Sequence, residues 1–193
     1  MNAKRLFIPL LLLAFSLVSY SQDSTFRINF PDGWTQFQRN DVLNSFKNTY
    51  ELTDKMKQEI LANAASKQLY GYAAPLKQGT LYRPNIQVLL LKNPAKDFTQ
   101  FKMGIEKSLD AFKGMINDLK ILDPVSEMTI DGKKSVYTKI TGYIATKTGG
   151  KAQLIARVYA IPTGNYFYQI TMNDSNNYNC EEEFKKVLSS LKL

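Results

Sequence analysis

MTIDGKKSVYTKITGY (residues 128–143), QLIARVYAI (153–161) and YFYQITM (166–172) decide how this chain folds. Through these stretches the pattern has a period of two, the spacing of a strand and not of a helix. Asp131-Gly132, Thr148-Gly149-Gly150 and Thr163-Gly164-Asn165 interrupt it with residues suited to tight turns. Connections this short join antiparallel neighbours, because a parallel pair needs a crossover of a dozen or more residues. The expectation is an antiparallel meander with strands at Lys120–Leu122, Glu127–Ile130, Ser135–Ile144, Gln153–Ile161 and Tyr166–Met172.

Helical patterns lie on both sides of the meander. Before it, Phe98, Phe101, Ile105, Leu109, Phe112 and Ile116 step by three and four along one stripe, with Asp97 near the start, which predicts a helix packed on a sheet. After it, Asn177 or Asn179 precedes Glu181, Glu182 and Glu183, which suit the positive end of a helix whose Phe184, Val187, Leu188 and Leu191 face the core. Further upstream, Gln68–Ala73 and Asn85–Lys92 read as strands around a loop marked by Pro75, Gly79 and Pro84. Residues 40–65 carry helical spacing through Val42, Phe46 and Tyr50, then Met56, Ile60 and Ala64, and Thr53-Asp54 suits a second helix start. Thr25–Phe30 and Trp34–Gln38 flank Pro31-Asp32-Gly33 as a first hairpin. The fold class expected is α+β: an antiparallel β-sheet flanked by helices on both faces, a three-layer α/β/α sandwich.

The N-terminus, MNAKRLFIPLLLLAFSLVSYSQ, predicts export. Lys4 and Arg5 form a basic region, and Leu6 to Val18 form an apolar run too short to span a bilayer with ease. Ser19 and Ser21 place small residues before a cleavage point, so residues 1–21 are expected to leave as a signal peptide and 22–193 to remain as a single domain. Without Lys4 and Arg5 the chain keeps 23 basic residues against 17 acidic ones, a net charge of +6. That excess serves solubility and suits an anionic partner. The lysines are scattered, which argues against nucleic acid.

A lone Cys180 cannot form an internal disulfide, and no cysteine stands at the cleavage site to carry a bacterial lipid anchor. The mature chain is therefore expected in the periplasm or outside the cell, with no stable membrane insertion, as a monomer. The chain contains no histidine, which excludes Ser-His and Cys-His pairs, imidazole acid–base catalysis and histidine metal ligands.

With FRINFPDGW (26–34), PNIQVLLLK (84–92), MTIDGKKSVYTKITGY (128–143) and CEEEFKKVLSSLKL (180–193) in view, the chain resembles the PsbP-like proteins, which share their fold with the Mog type of Ran-binding protein. The resemblance spans nearly all of residues 24–193 and rests on structural turns and an amphipathic last helix. It implies an antiparallel sheet between helical layers and a non-enzymatic accessory part in a larger assembly. It brings no active-site residue, and histidines proposed as metal ligands in some plant members have no counterpart here.

Site candidates are few. Counted from Asp174 as a calcium loop, position five is Tyr178, six is Asn179 and twelve is Lys185, so the pattern fails and a polar helix cap is expected. Cys180 lies near a helix start but beside three glutamates, which favours a small buried hydrophobe over a redox sensor. Asp123, Glu127 and Asp131 read as loop and strand-end charges, with acid–base work as the sharper alternative. Trp34, Tyr70, Tyr72 and Tyr82 are candidates for an aromatic binding surface, with sheet packing as the other account. Lys133, Lys134, Lys147 and Lys151 are candidates for steering an anionic partner, with protection of a sheet edge as the other account.

The function expected is that of an exported, non-catalytic PsbP-like accessory domain, without cofactor or metal, that binds a protein or envelope component through its sheet edge and adjoining loops. The alternative is a small-molecule or lipid binder with a cavity between the sheet and the 98–116 helix. A histidine-free hydrolase is the third reading.

Overall fold

A computed structural model describes residues 26–38, 49–51, 54, 67–80, 82–113 and 116–193. The expected signal peptide and most of the helical pattern at 40–65 lie outside the described residues. Seven strands form one antiparallel sheet: β1 (Thr35–Gln36), β2 (Lys67–Ala73), β3 (Asn85–Lys92), β4 (Asn117–Ile130), β5 (Lys133–Ala145), β6 (Lys151–Thr163) and β7 (Tyr166–Asp174). Among the described residues two helices accompany it, α1 (Phe98–Phe112) between β3 and β4, and α2 (Glu181–Ser189) after β7. Strand order across the sheet is β1-β2-β3-β7-β6-β5-β4. Two meanders are thus sewn together at the β3–β7 pair, from Asn85↔Asn173 to Lys92↔Tyr166.

The expected meander is present, with longer strands than periodicity alone delimits. Asp131 and Gly132 both take positive φ (46° and 76°), the twist that lets a two-residue connection close a hairpin. The two short strands expected at 120–122 and 127–130 are one strand of 14 residues. Pro124 sits inside it without breaking it, because β4 is the outer strand and its pairing slips between Asn117 and Lys120, Ile121 and Asp123, and Asp123 and Ser126. A proline costs no ladder bond at an edge or a bulge.

The first hairpin is corrected. Its two arms do not pair with each other: Arg27 bridges Lys192 near the C-terminus, while Thr35 and Gln36 pair with Ala73 and Tyr72. Gly33 makes the expected turn (φ 76°), but the turn hands the chain from one partner to another. The 98–116 helix is also corrected, since it ends at Phe112 and Ile116 lies beyond it, still buried. Its start is as expected, with the Asp97 carboxylate accepting the Gln100 N–H at 2.8 Å. At α2, by contrast, neither asparagine is the cap residue. Cys180 holds that position, its own N–H donating to Asp174 at 3.1 Å, while the expected Asn179 supplies a side-chain bond to the helix start, its Oδ1 accepting the Glu181 N–H at 2.8 Å.

Packing follows strand alternation. On β6, Ala152, Leu154, Ala156 and Ala160 belong to clusters that include Leu109, or Phe101 and Ile105, of α1. Tyr159 and Ile161 belong instead to the cluster of Phe184, Val187 and Leu191, joined by Ile170 and Met172 of β7 and Ile86 and Val88 of β3. Neighbouring residues of a strand point in opposite directions. Tyr50, buried, joins the Leu109 cluster and bridges Thr146.

Candidate functional site

A groove of about 540 Å³ opens between α1 and the outer strands. Leu109 lines it from the helix, Leu119, Ile121, Pro124 and Val125 from β4, and Ile140 from β5, while Glu106, Asp110 and Lys113 stand along its helical rim. Local sequence explains its place. Gly142 on β5 lets the chain between α1 and β4 lie directly on the strand: a Cβ there would collide with Ile116 Cγ2 and lie 2.8 Å from the Asn117 carbonyl oxygen. Beyond that crossing, Pro124 and the slipped pairing bend β4, and bulges of this kind increase local twist. Ile121, in the groove's lining, stays 51% exposed, and its neighbour Leu122 stays 47% exposed, unusual for adjacent large apolar side chains.

The rim is charged but internally matched at the helix end, where Lys113 and Asp110 lie 2.6 Å apart. Further along, Glu127 of β4 pairs with Lys134 at 2.8 Å and Lys102 at 3.8 Å. The Lys134 hydrogen bond holds the Glu127 carboxyl below its usual range. Lys134 also sits 4.4 Å from the centre of the Phe98 ring. These contacts tie the start of α1 to the β4–β5 hairpin and leave the groove at the other half of the helix.

The tyrosine and lysine candidates divide. Trp34, Tyr70 and Tyr72 come together, in packing and not around an open concavity. Phe30 stacks on Tyr72 at 4.0 Å, Phe26 lies 5.9 Å from Tyr70, and Trp34 meets Phe184 of α2 edge-on at 6.2 Å. Tyr82 stands apart, half-buried with the Leu109 cluster, its hydroxyl accepting from Asn85 at 3.2 Å and burial pushing its phenol up. Lys133 and Lys134 lie at one end of β5 and Lys147 and Lys151 beyond the other, so the 13-residue strand separates the pairs by about 40 Å at ~3.3 Å per residue.

The remaining polar candidates have structural partners. Asp123 accepts the Tyr137 hydroxyl at 2.9 Å, and burial, with that bond, pushes the phenol up. Asp131 accepts from the Leu193 N–H at 2.8 Å and from Lys192 at 3.0 Å, which hold its carboxyl low. Burial, with Glu183 and Asp174 nearby, pushes the Cys180 thiol up to about 11, so it behaves as the buried hydrophobe expected. Among the described residues no group of three or more acidic or cysteine side chains is placed to hold a metal ion.

The groove lies where the alternative reading put a cavity, between the sheet and the 98–116 helix, and its lining by β4 residues is what only the structure adds. Sequence reading missed Arg157, 5% exposed, which donates to Asp174 at 2.9 Å and to Glu181 at 3.0 Å and so ties β6, β7 and α2 together. An arginine inside the run LIARVYA was its signal, since a buried charge needs a partner.

No family model and no curated protein matches this chain. Solved structures do. LpqN of Mycobacterium tuberculosis, involved in cell envelope biogenesis, is similar at a TM-score of 0.50 and 10% identity, over 87% of this chain and 83% of its own. Cyanobacterial PsbP of Synechocystis is similar at 0.49 and 8% identity, over 92% of this chain and 97% of its own. For the Ran-binding protein Mog1p of Saccharomyces cerevisiae the values are 0.42 and 12%, over 86% and 94%. The chain spans 44% of a structure from Bacteroides thetaiotaomicron, at 0.47 and 14% identity over 86% of this chain. No helix among the described residues is long and apolar enough to cross a membrane. The PsbP-like and Mog-type proteins expected from the residues are thus among the structures this chain is similar to, and what it shares with LpqN is the fold.

Proposed function

We propose that this protein is an exported, non-catalytic binding domain that engages a protein or envelope partner along β4, with an apolar group of that partner seated in the α1–β4 groove. The observation that carries this reading is the groove itself: an open apolar concavity whose lining includes Ile121, half-exposed on an edge strand. Exposed apolar surface of this kind marks interaction sites. The finer architecture belongs to the same reading, with α1 and α2 covering opposite faces of the sheet as a three-layer sandwich. Export follows from the basic and apolar N-terminus, with cleavage after Ser21. The part played by LpqN in cell envelope biogenesis is in keeping with an envelope role for a chain of the same fold.

A second reading is a small apolar molecule enclosed in the groove. It is favoured by the volume, about 540 Å³, within the roughly 300–1,000 Å³ of ligand pockets. Native mass spectrometry of the protein isolated gently from its host envelope distinguishes the two. A co-isolated polypeptide supports the first and a small discrete adduct the second. Ile121→Asp should strip either while leaving stability within about 0.5 kcal/mol, as for an exposed site. A bare chain before and after that substitution would discard the groove as the site.

A further inference from the structure

Among the described residues, the end of the sheet remote from Lys133 and Lys134 includes the connections between β2 and β3 (74–80 and 82–84), between β5 and β6 (146–150) and between β7 and α2 (175–180), with the starts of β1 and β4 beside them. Across this end the first and second lie roughly 15 Å apart, three strand spacings of ~4.8 Å. We propose that this end is a peripheral docking surface for an anionic lipid bilayer, with Leu76 entering the headgroup layer and Lys77, Arg83, Lys147 and Lys151 facing lipid phosphates. The surface is distinct from the groove. It relies on the export reading only for where in the cell the bilayer lies.

Leu76 carries the first half of the inference. It is 77% exposed, more than Met103, Ile121 or Leu122. The loop that bears it is anchored on both sides: the Ala74 N–H donates to the Pro84 carbonyl at 2.9 Å, the Tyr178 hydroxyl to the Pro75 carbonyl at 3.1 Å, and the Thr80 hydroxyl to the Lys77 carbonyl at 2.7 Å. With its neighbours held, the leucine is presented to the outside. An apolar side chain on a loop flanked by cations suits a membrane interface, where apolar area enters the acyl boundary and basic residues meet anionic headgroups.

Charge carries the second half. Among the described residues, none of Lys77, Arg83, Lys147 and Lys151 has a carboxylate within ion-pair distance. Lys77 lies 3.8 Å from the centre of the Tyr178 ring, and Arg83 donates to the Ala74 carbonyl and to the Thr35 hydroxyl. Lys147 and Lys151 are held out by a closed hairpin, in which Thr146 and Gly150 are joined by backbone and hydroxyl bonds of 2.9 Å. Glu51, whose N–H donates to the Ala145 carbonyl, and Asp54 are the acidic residues nearest in the chain to that hairpin's backbone partner, Tyr50. At the opposite end Lys134 and Lys192 are matched to Glu127 and Asp131, while Lys92, Lys96 and Lys133 have no carboxylate within ion-pair distance among the described residues, but no side chain in their turns is as exposed and apolar as Leu76.

The test is vesicle co-sedimentation of the protein recovered after export, with its mass measured, on phosphatidylcholine vesicles with and without about one-third phosphatidylglycerol. Binding is expected to the anionic vesicles only, and to fall as salt rises. Lys147→Gln with Lys151→Gln should weaken it about 25-fold, at roughly fivefold per lysine. Leu76→Ser should weaken it about tenfold, within the range set by burying a leucine. Lys92→Gln with Lys96→Gln, the same loss of charge at the opposite end, should leave it unchanged. Equal binding to neutral vesicles, no binding to either, or equal loss from the two lysine pairs overturns the proposal. Binding that needs the lysines but ignores Leu76 also overturns it, in favour of a soluble polyanion. All comparisons are among variants carrying the same N-terminus, so they hold whether or not residues 1–21 remain, and the measured mass reports separately on the export reading.

Discussion

Packing around α2 and packing around α1 follow different rules in this molecule. At α2, Phe184, Leu191, Ile161, Ile170 and Met172 are all 2% exposed or less, and an ion pair between Arg157 and Asp174 is sealed in with them. At α1, the inward residues Phe101, Ile105 and Leu109 remain 4–8% exposed, and the helix stands beside a groove lined by its own Leu109. The contrast teaches that one helix closes a core while the other leaves an apolar groove open beside it. Low local packing is where binding surfaces are drawn from, because a site must expose what a core would bury.

The largest test of that contrast is a pair of matched deletions. Ile170→Ala should cost about 4 kcal/mol and Ile105→Ala about 2, at the upper and lower parts of the range for core isoleucines. Urea denaturation midpoints would read the difference, and equal losses would break the comparison.

Next comes the buried pair. Asp174→Leu leaves the Arg157 guanidinium without its buried partner and should cost about 3 kcal/mol or more, whereas adding Arg157→Met should restore most of that loss. Thermal melting of the single and double variants measures it. A double variant no more stable than the single one would mean that the region is held by apolar packing alone.

The smallest effect is on pH. Arg157 holds the Glu181 carboxyl low at α2, and Lys134 does the same for Glu127 beside α1. A carboxyl whose folded pKa is depressed stabilises the fold fully above its unfolded pKa, and that stabilisation is lost as pH falls through the folded value. Acid melting should therefore begin below the ordinary glutamate range, near pH 4.3. Glu181→Gln and Glu127→Gln should each flatten the pH dependence, and the comparison is sharpened if Glu181→Gln flattens it more. An unchanged profile in both would remove these pairs from the acid response.

Most of the fold was legible before the structure. Strands β2, β3, β5, β6 and β7 and the body of α1 lie where period and turn residues place them, because alternation and three-four spacing are local properties. Less was legible where partners are distant. FRINFP and WTQFQ flank a real turn, yet one bridges the C-terminus and the other adds to β2, a choice no local pattern records. Residues 120–122 and 127–130 read as two strands because nothing local says that β4 is one long edge strand that tolerates Pro124 and slipped pairing. Trp34, Tyr70 and Tyr72 each pack a ring against a phenylalanine, Phe184, Phe26 and Phe30 in turn, contacts that no local pattern records.

The chain by itself determined the element types, the antiparallel ladder with its positive-φ turns and the absence of imidazole chemistry, since each follows from residue identity and short-range sterics. Tertiary structure decided which strand would be the outer one, that Ile121 would line a groove, that Arg157 would find Asp174 and Glu181, and that Lys133 and Lys147 would stand at opposite ends. Those outcomes depend on contacts between residues far apart in the chain, whose geometry is set only when the whole sheet closes.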